Sequence, residues 1–104
     1  MKIKVTQEDI DNGHRDTLEN CPIALAVVRE LKLDTKGKKD IVAVYGEGNG
    51  VHIWRGQQEY SYKLPKNIEA VIKSFDGGDK IEPFEFEMEL KYEFETFCRY
   101  QDRR

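Results

Sequence analysis

The stretch that decides the fold reads Phe84-Glu85-Phe86-Glu87-Met88-Glu89-Leu90-Lys91-Tyr92-Glu93-Phe94. Apolar residues occupy every even position and charged residues every odd position. Successive side chains of a β-strand point to opposite faces, so this alternation predicts one long strand with a buried face and a solvated face. We expect the strand to lie in the middle of a sheet, because it has the most apolar surface to bury.

The composition predicts one domain covering residues 1–104. The chain has 104 residues and a net charge of −3, and an acidic balance argues against general nucleic-acid binding. No apolar run is long enough to span a bilayer, and the first residues do not read as a signal peptide. Two cysteines, Cys21 and Cys98, are too few for a disulfide framework, so we expect reduced thiols in a cytoplasmic protein.

Three helices are predicted between the strands. Thr6 is typical of a helix N-cap, and Gly13 would end that short helix. A second helix opens at Asn20 or Cys21 with Pro22 in its first turn. Its residues 23–28 are apolar on all sides, which indicates a central helix packed on the sheet. A third helical face is formed by apolar residues at i, i+3, i+4 and i+7: Ile68, Val71, Ile72 and Phe75.

The strands complete an α+β fold with the order β-α-α-β-β-β-α-β. Short strands are predicted at 2–5, 41–45, 51–54 and 59–64, ahead of the long strand. We expect an antiparallel or mixed sheet with helices mainly on one face. For residues 95–104 we expect a short helix or a frayed tail, and a helix starting near Leu90 would end the long strand early.

Catalytic, metal and cofactor motifs are not found. The run Gly46-Glu47-Gly48-Asn49-Gly50 is followed by a strand, which favours a hairpin turn over a phosphate-binding loop. The histidines and cysteines show no metal-ligand spacing. A small hydrolase or metal enzyme built around His14, Asp16 and Cys21 remains an alternative, because a helix N-terminus favours a thiolate.

Trp54 is the first candidate for a binding site. If Val51 and Ile53 face the core, Trp54 and His52 are exposed on the opposite face, with Arg55 next in sequence. The alternative is that Trp54 packs under the second helix and Val51 faces outward. Together with Tyr60 or Tyr62 they would form an aromatic and basic patch. Such residues are enriched in binding hot spots, and stacking on the bases of single-stranded nucleic acid is an alternative use.

The second candidate is a row of glutamates on the wet face of the long strand, chiefly Glu85, Glu87 and Glu89. One interpretation is a solvated sheet face with lysine partners on the neighbouring strand. The other is an acidic docking surface that could mimic phosphates and block a nucleic-acid-binding site. An open row of this kind offers no pocket that would tune a carboxylate for acid–base catalysis.

Two segments carry a resemblance to a known group of proteins. The opening segment Ile3-Lys4-Val5-Thr6-Gln7-Glu8-Asp9-Ile10, with Gly13 and then Cys21-Pro22-Ile23-Ala24-Leu25-Ala26, resembles small uncharacterised proteins encoded by bacteriophages and prophages. The segment from Phe75-Asp76 to Pro83-Phe84-Glu85-Phe86 is similar to them as well. The resemblance implies a phage accessory protein in the cytoplasm of a bacterial host, and it implies no activity.

The leading hypothesis is a non-enzymatic module that binds a host or phage protein, and that inhibits a host factor through its acidic and aromatic surface. The candidate partner-binding residues are Trp54, His52, Arg55, Glu85, Glu87 and Glu89. No cofactor and no membrane contact are expected, and nucleic acid is an unfavoured partner. A homodimer is an open alternative, since a long edge strand invites pairing with a second copy.

Overall fold

The elements follow the predicted order. A computed structural model describes residues 1–37, 39–45, 50–56 and 58–95, with side chains up to residue 91. The strands are β1 (Lys2–Val5), β2 (Asp40–Tyr45), β3 (Gly50–Arg55), β4 (Gln58–Lys63), β5 (Phe84–Glu87) and β6 (Glu89–Glu95). The helices are α1 (Gln7–Asn12), α2 (Pro22–Leu31) and α3 (Lys66–Asp76). The α+β class and the element order are confirmed.

The strands form two antiparallel sheets. One contains β1 and β5, and the other has the order β2-β3-β4-β6. Helix α2 packs against both sheets through β1 and β2, and α1 lies on α2. Residues Ile23, Ala24 and Val27 of α2 join Val42 and Ile53 in one core cluster. The central position expected for the second helix is therefore observed.

The alternating stretch does not form the single central strand that its pattern predicts. Strand β5 ends at Glu87, and β6 begins at Glu89 in the other sheet. The chain changes sheets at Met88, whose N–H donates to the Met1 carbonyl at 2.8 Å and whose carbonyl accepts from the N-terminal amine at 3.1 Å. Strand β6 then lies at the edge of the larger sheet, not in its middle.

The inner face predicted for this stretch is also interrupted. Phe86 and Met88 are buried, but Leu90 is 51% exposed, so its assignment to the core was wrong. The register places Tyr62 opposite Leu90 and Ser61 opposite Tyr92, which leaves one extra residue in β6. Beyond a bulge of this kind, residues of the same parity point to the opposite face of the strand. Alternation before the bulge therefore does not predict which residues are buried after it.

The helix ends are built as the sequence indicates. The Thr6 hydroxyl accepts from the Asp9 N–H at 3.3 Å, and the Asp9 carboxylate accepts from the Thr6 N–H at 2.9 Å. Cys21 is the N-cap of α2, with Pro22 in the first turn. Among the described residues, no helix is both long and apolar enough to cross a membrane. Residues 46–49 of the predicted turn at 46–50 and residues 96–104 of the predicted tail at 95–104 lie outside the described residues.

Candidate functional site

The four-stranded sheet turns one face to the helices and the other face away from them. Val51 and Ile53 are buried at 0% and 1% exposure, and they share the core cluster with residues of α2 and α3. Strand alternation therefore places His52 and Trp54 on the opposite, outer face. The outer orientation expected for Trp54 and His52 is observed, but both residues are half-buried and not fully exposed.

Aromatic rings and one exposed isoleucine form a continuous group on the outer face. The His52 and Trp54 rings are stacked, with centroids 5.9 Å apart. The Tyr45 ring meets His52 edge-on at 5.2 Å. Ile41 is the cross-strand partner of Trp54 and is 38% exposed. We call these four residues (Ile41, Tyr45, His52 and Trp54) the outer aromatic patch.

Strand β4 places buried polar groups beside this patch. Glu59 and Ser61 are 3% and 0% exposed, and Glu59 Oε2 lies 3.3 Å from His52 Nδ1. The Ser61 hydroxyl has no hydrogen-bond partner within the described part of the chain. Sequence reasoning missed both residues, because a polar position in an alternating strand predicts exposure to solvent. No local signal distinguishes Glu59 or Ser61 from a solvated residue.

Three residues expected in the patch lie elsewhere. Tyr62 is buried in the core cluster and Tyr60 packs against that cluster, so both face away from Trp54. Arg55 has the same strand parity as Ile53, and its Nε lies 3.7 Å from Asp40 Oδ1. The predicted combination with Arg55 and Tyr60 or Tyr62 was wrong, because all three alternate onto the helix side of the sheet. The patch is therefore aromatic and apolar, not basic.

The glutamate row is divided between the two sheets. Glu85 and Glu87 face Lys4 and Lys2 in the register of β5 with β1. Glu85 Oε2 lies 3.8 Å from Lys2 Nζ, and Glu87 Oε2 lies 3.1 Å from the N-terminal amine.

The third member, Glu89, lies opposite Lys63 in the larger sheet. Each of these glutamates thus has a cation across the strand or beside it. This geometry fits the interpretation as a solvated sheet face, while an acidic docking role remains a prediction.

The environment of Cys21 does not favour a nucleophile. Its side chain is buried, and its sulfur accepts from the Ala24 N–H at 3.5 Å. Burial raises the pKa of the Cys21 thiol above its ordinary value of 9.0 and outweighs the opposing hydrogen bonds. A reactive thiolate requires the opposite shift. Exposed Asp16 lines the same groove of about 600 Å³ as Cys21, whereas exposed His14 is not among its described lining residues.

Within residues 1–37, 39–45, 50–56 and 58–91, no group of three or more His, Cys, Asp or Glu side chains could hold a metal ion. Comparisons of the chain with protein-family models, curated proteins and solved structures give no match.

Proposed function

We propose that this chain is a non-enzymatic, phage-type accessory protein that binds another protein through the outer aromatic patch. It would act in the cytoplasm of a bacterial host, as the resemblance of its opening segment implies. The observation that carries the binding proposal is the ring arrangement of Tyr45, His52 and Trp54 next to exposed Ile41. Large aromatic side chains with few rotatable bonds dominate the energetics of many protein interfaces.

The patch is held in shape before any partner arrives. His52 is fixed by ring contacts on two sides and by the Glu59 carboxylate at 3.3 Å. Binding then costs less side-chain entropy, because the rings are already restricted to one arrangement. An apolar residue at 38% exposure beside them supplies surface that a partner can remove from water.

The glutamates contribute to this proposal in a secondary role. Glu85, Glu87 and Glu89 are exposed, but their cross-strand lysines lower the net negative field that a basic partner would meet. We propose that they steer a partner at long range, whereas the patch supplies the affinity. Such binding would inhibit a host factor if the patch covers the active site or a binding site of that factor.

Photo-cross-linking in host cells tests the patch directly. A benzophenone amino acid at position 41 is expected to cross-link one host or phage protein, and Trp54→Ala in the same chain is expected to abolish the product. The matched control carries the benzophenone at Leu18, an apolar residue that is 46% exposed outside the patch. Circular dichroism verifies that each variant keeps its fold. Equal products from positions 41 and 18, or a product unaffected by Trp54→Ala, would overturn the assignment.

A further inference from the structure

The hydrogen bonds of β2 show which of its backbone groups point away from β3. Gly56 donates to the Lys39 carbonyl at 3.4 Å, so the pair 39 and 56 is of the hydrogen-bonded type. In an antiparallel ladder such pairs alternate with pairs whose N–H and C=O groups point outward. The register, which begins at Asp40↔Arg55, then directs the backbone N–H and C=O groups of residues 40, 42 and 44 toward the open edge of the sheet.

Two bonds on that edge agree with this direction. Asp40 donates to the Asp34 carbonyl at 3.1 Å, and Val44 donates to the Leu18 carbonyl at 2.8 Å. The edge of β2 is therefore covered at both ends by neighbouring loops. The two covered positions are four residues apart, which is roughly 13 Å along a strand.

Val42 lies between them, and its outward N–H and C=O have no hydrogen-bond partner among the described residues. The residue is 2% exposed. A buried backbone donor and acceptor that both lack a partner carry a free-energy cost, and such groups are rare in folded proteins. The pair is thus a ready-made recognition element for a group that both donates and accepts.

A groove of about 370 Å³ opens onto this point. Glu19 and Asn20 line one side and Thr35 and Lys36 the other, while Leu25 lies on α2. Ile41 of the outer aromatic patch also lines it. The groove is therefore continuous with the surface to which we assign protein binding, and its lining carries two acids, Glu19 and Asp40, and one base, Lys36.

We propose that the β2 edge at Val42 binds one residue of an extended segment of a protein partner. The partner's C=O would accept from the Val42 N–H, and its N–H would donate to the Val42 C=O, which forms a single antiparallel bridge. A residue in extended conformation presents its own N–H and C=O on the same side of the chain, as edge-strand recognition requires. The proposal rests on the proposed function and adds the conformation of the partner to it.

Peptides recovered from a displayed random library panned on the native chain provide the probe. By NMR, a selected peptide is expected to slow amide exchange at Val42 about tenfold or more, because the amide gains a partner. Asn20→Trp places an indole in the groove and is expected to weaken peptide binding about tenfold. Asn67→Trp makes the same change at an exposed site on α3 and serves as the matched control.

The outcomes separate this proposal from the proposed function. Binding that falls with Asn20→Trp but not with Trp54→Ala supports the edge site and contradicts the assignment to the patch. Binding that falls with Trp54→Ala alone, without protection of Val42, overturns the edge site and leaves the patch intact. Recovery of no binding peptide, with Val42 contacting water only, overturns the edge site. Self-association in light scattering that disappears with Asn20→Trp would overturn the choice of a foreign partner in favour of a second copy.

Discussion

Gly50 and Gly56 show how the surroundings of a single residue decide the effect of a substitution. Both adopt left-handed backbone angles, with φ of 74° and 63°. A Cβ at Gly50 would lie 2.0 Å from the Tyr62 carbonyl oxygen, whereas a Cβ at Gly56 would meet nothing within 4 Å. The two positions therefore share a conformational strain and differ in the space available.

We expect Gly56→Ala to lower the free energy of unfolding by about 1 kcal/mol, the cost of left-handed backbone for an L-residue. Gly50→Ala should cost about 3 kcal/mol or more, because backbone of β4 must also move away from the new methyl group. Urea unfolding of both variants measures the difference. Equal losses would contradict the close approach of Gly50 to β4.

Cys21 makes the free energy of unfolding depend on pH in the alkaline range. Burial raises its pKa in the folded state above the ordinary value of 9.0. The folded protein then holds the proton where the unfolded chain has already lost it, so the contribution to stability is full below about pH 9 and falls as pH rises further. Native protein should therefore lose more stability than Cys21→Ala between pH 8 and pH 10. Parallel curves for the two proteins would show that desolvation of the thiol is unimportant.

At the scale of elements, the division of the alternating stretch has a direct mutational signature. Met88 and Leu90 have the same parity and similar size, yet Met88 is 1% exposed and Leu90 is 51% exposed. We expect Met88→Ala to cost about 3 kcal/mol by leaving a cavity. Leu90→Ala should stay within about 0.5 kcal/mol. Similar costs at the two positions would restore the single long strand with one buried face.

An ion pair links helix α1 to α2, in addition to the packing of Ile10 against the core cluster. Arg29 contacts both carboxylate oxygens of Asp9, at 2.6 and 2.5 Å, and donates to the Lys4 carbonyl at 2.6 Å. The Asp9 side chain is 8% exposed, and Arg29 supplies the positive charge beside its carboxylate. The Asp9 carboxylate in turn raises the pKa of Arg29.

Arg29→Met should therefore lower the free energy of unfolding by about 2 kcal/mol. This loss is smaller than that for breaking a fully buried ion pair, because the guanidinium is partly exposed to water. Hydrogen exchange should show α1 opening before the larger sheet, because the helix has only six residues. Lys80→Met removes a cation at an exposed position and serves as the control. No loss beyond that control would mean that α1 is held by its apolar contacts alone.

At the scale of the whole molecule, charge and the position of the tyrosines argue against the nucleic-acid alternative. The net charge is −3, and the carboxylate of Glu59 lies beside His52, which is a member of the outer aromatic patch. Tyr60 and Tyr62 pack on the helix side of the sheet and cannot join Trp54 in a stacking platform.

We therefore expect single-stranded oligonucleotides to leave the fluorescence of Trp54 unchanged even at low salt, where electrostatic binding is strongest. A free tryptophan amide measured in parallel corrects for absorption by the bases. Quenching that weakens steeply as salt is added would revive the alternative and contradict the proposed protein-binding role of the patch.

Much of the fold follows from local patterns. The Thr6 cap, the Pro22 start of α2 and the spacing of the α3 face each locate an element, because caps and periodicity act within a few residues. Alternation also predicts that His52 and Trp54 share one face of β3, but which face is buried follows only from the packing of Val51 and Ile53 in the core. Neither the burial of Glu59 and Ser61 nor the missing partner of Val42 has such a local signature.

The sequence by itself determined the class of the fold and the order of its elements, whereas the side of β3 on which Trp54 lies was left open between two orientations. Only the tertiary structure decided that residues 84–95 serve two sheets, with the change at Met88 and a bulge opposite Ser61 and Tyr62. Alternation is a property of neighbouring residues, and it persists whichever sheet a strand joins. Pairing depends on hydrogen bonds to residues distant in sequence, such as Met88 to Met1, and the packing of the paired strands against the helices determines which face is buried.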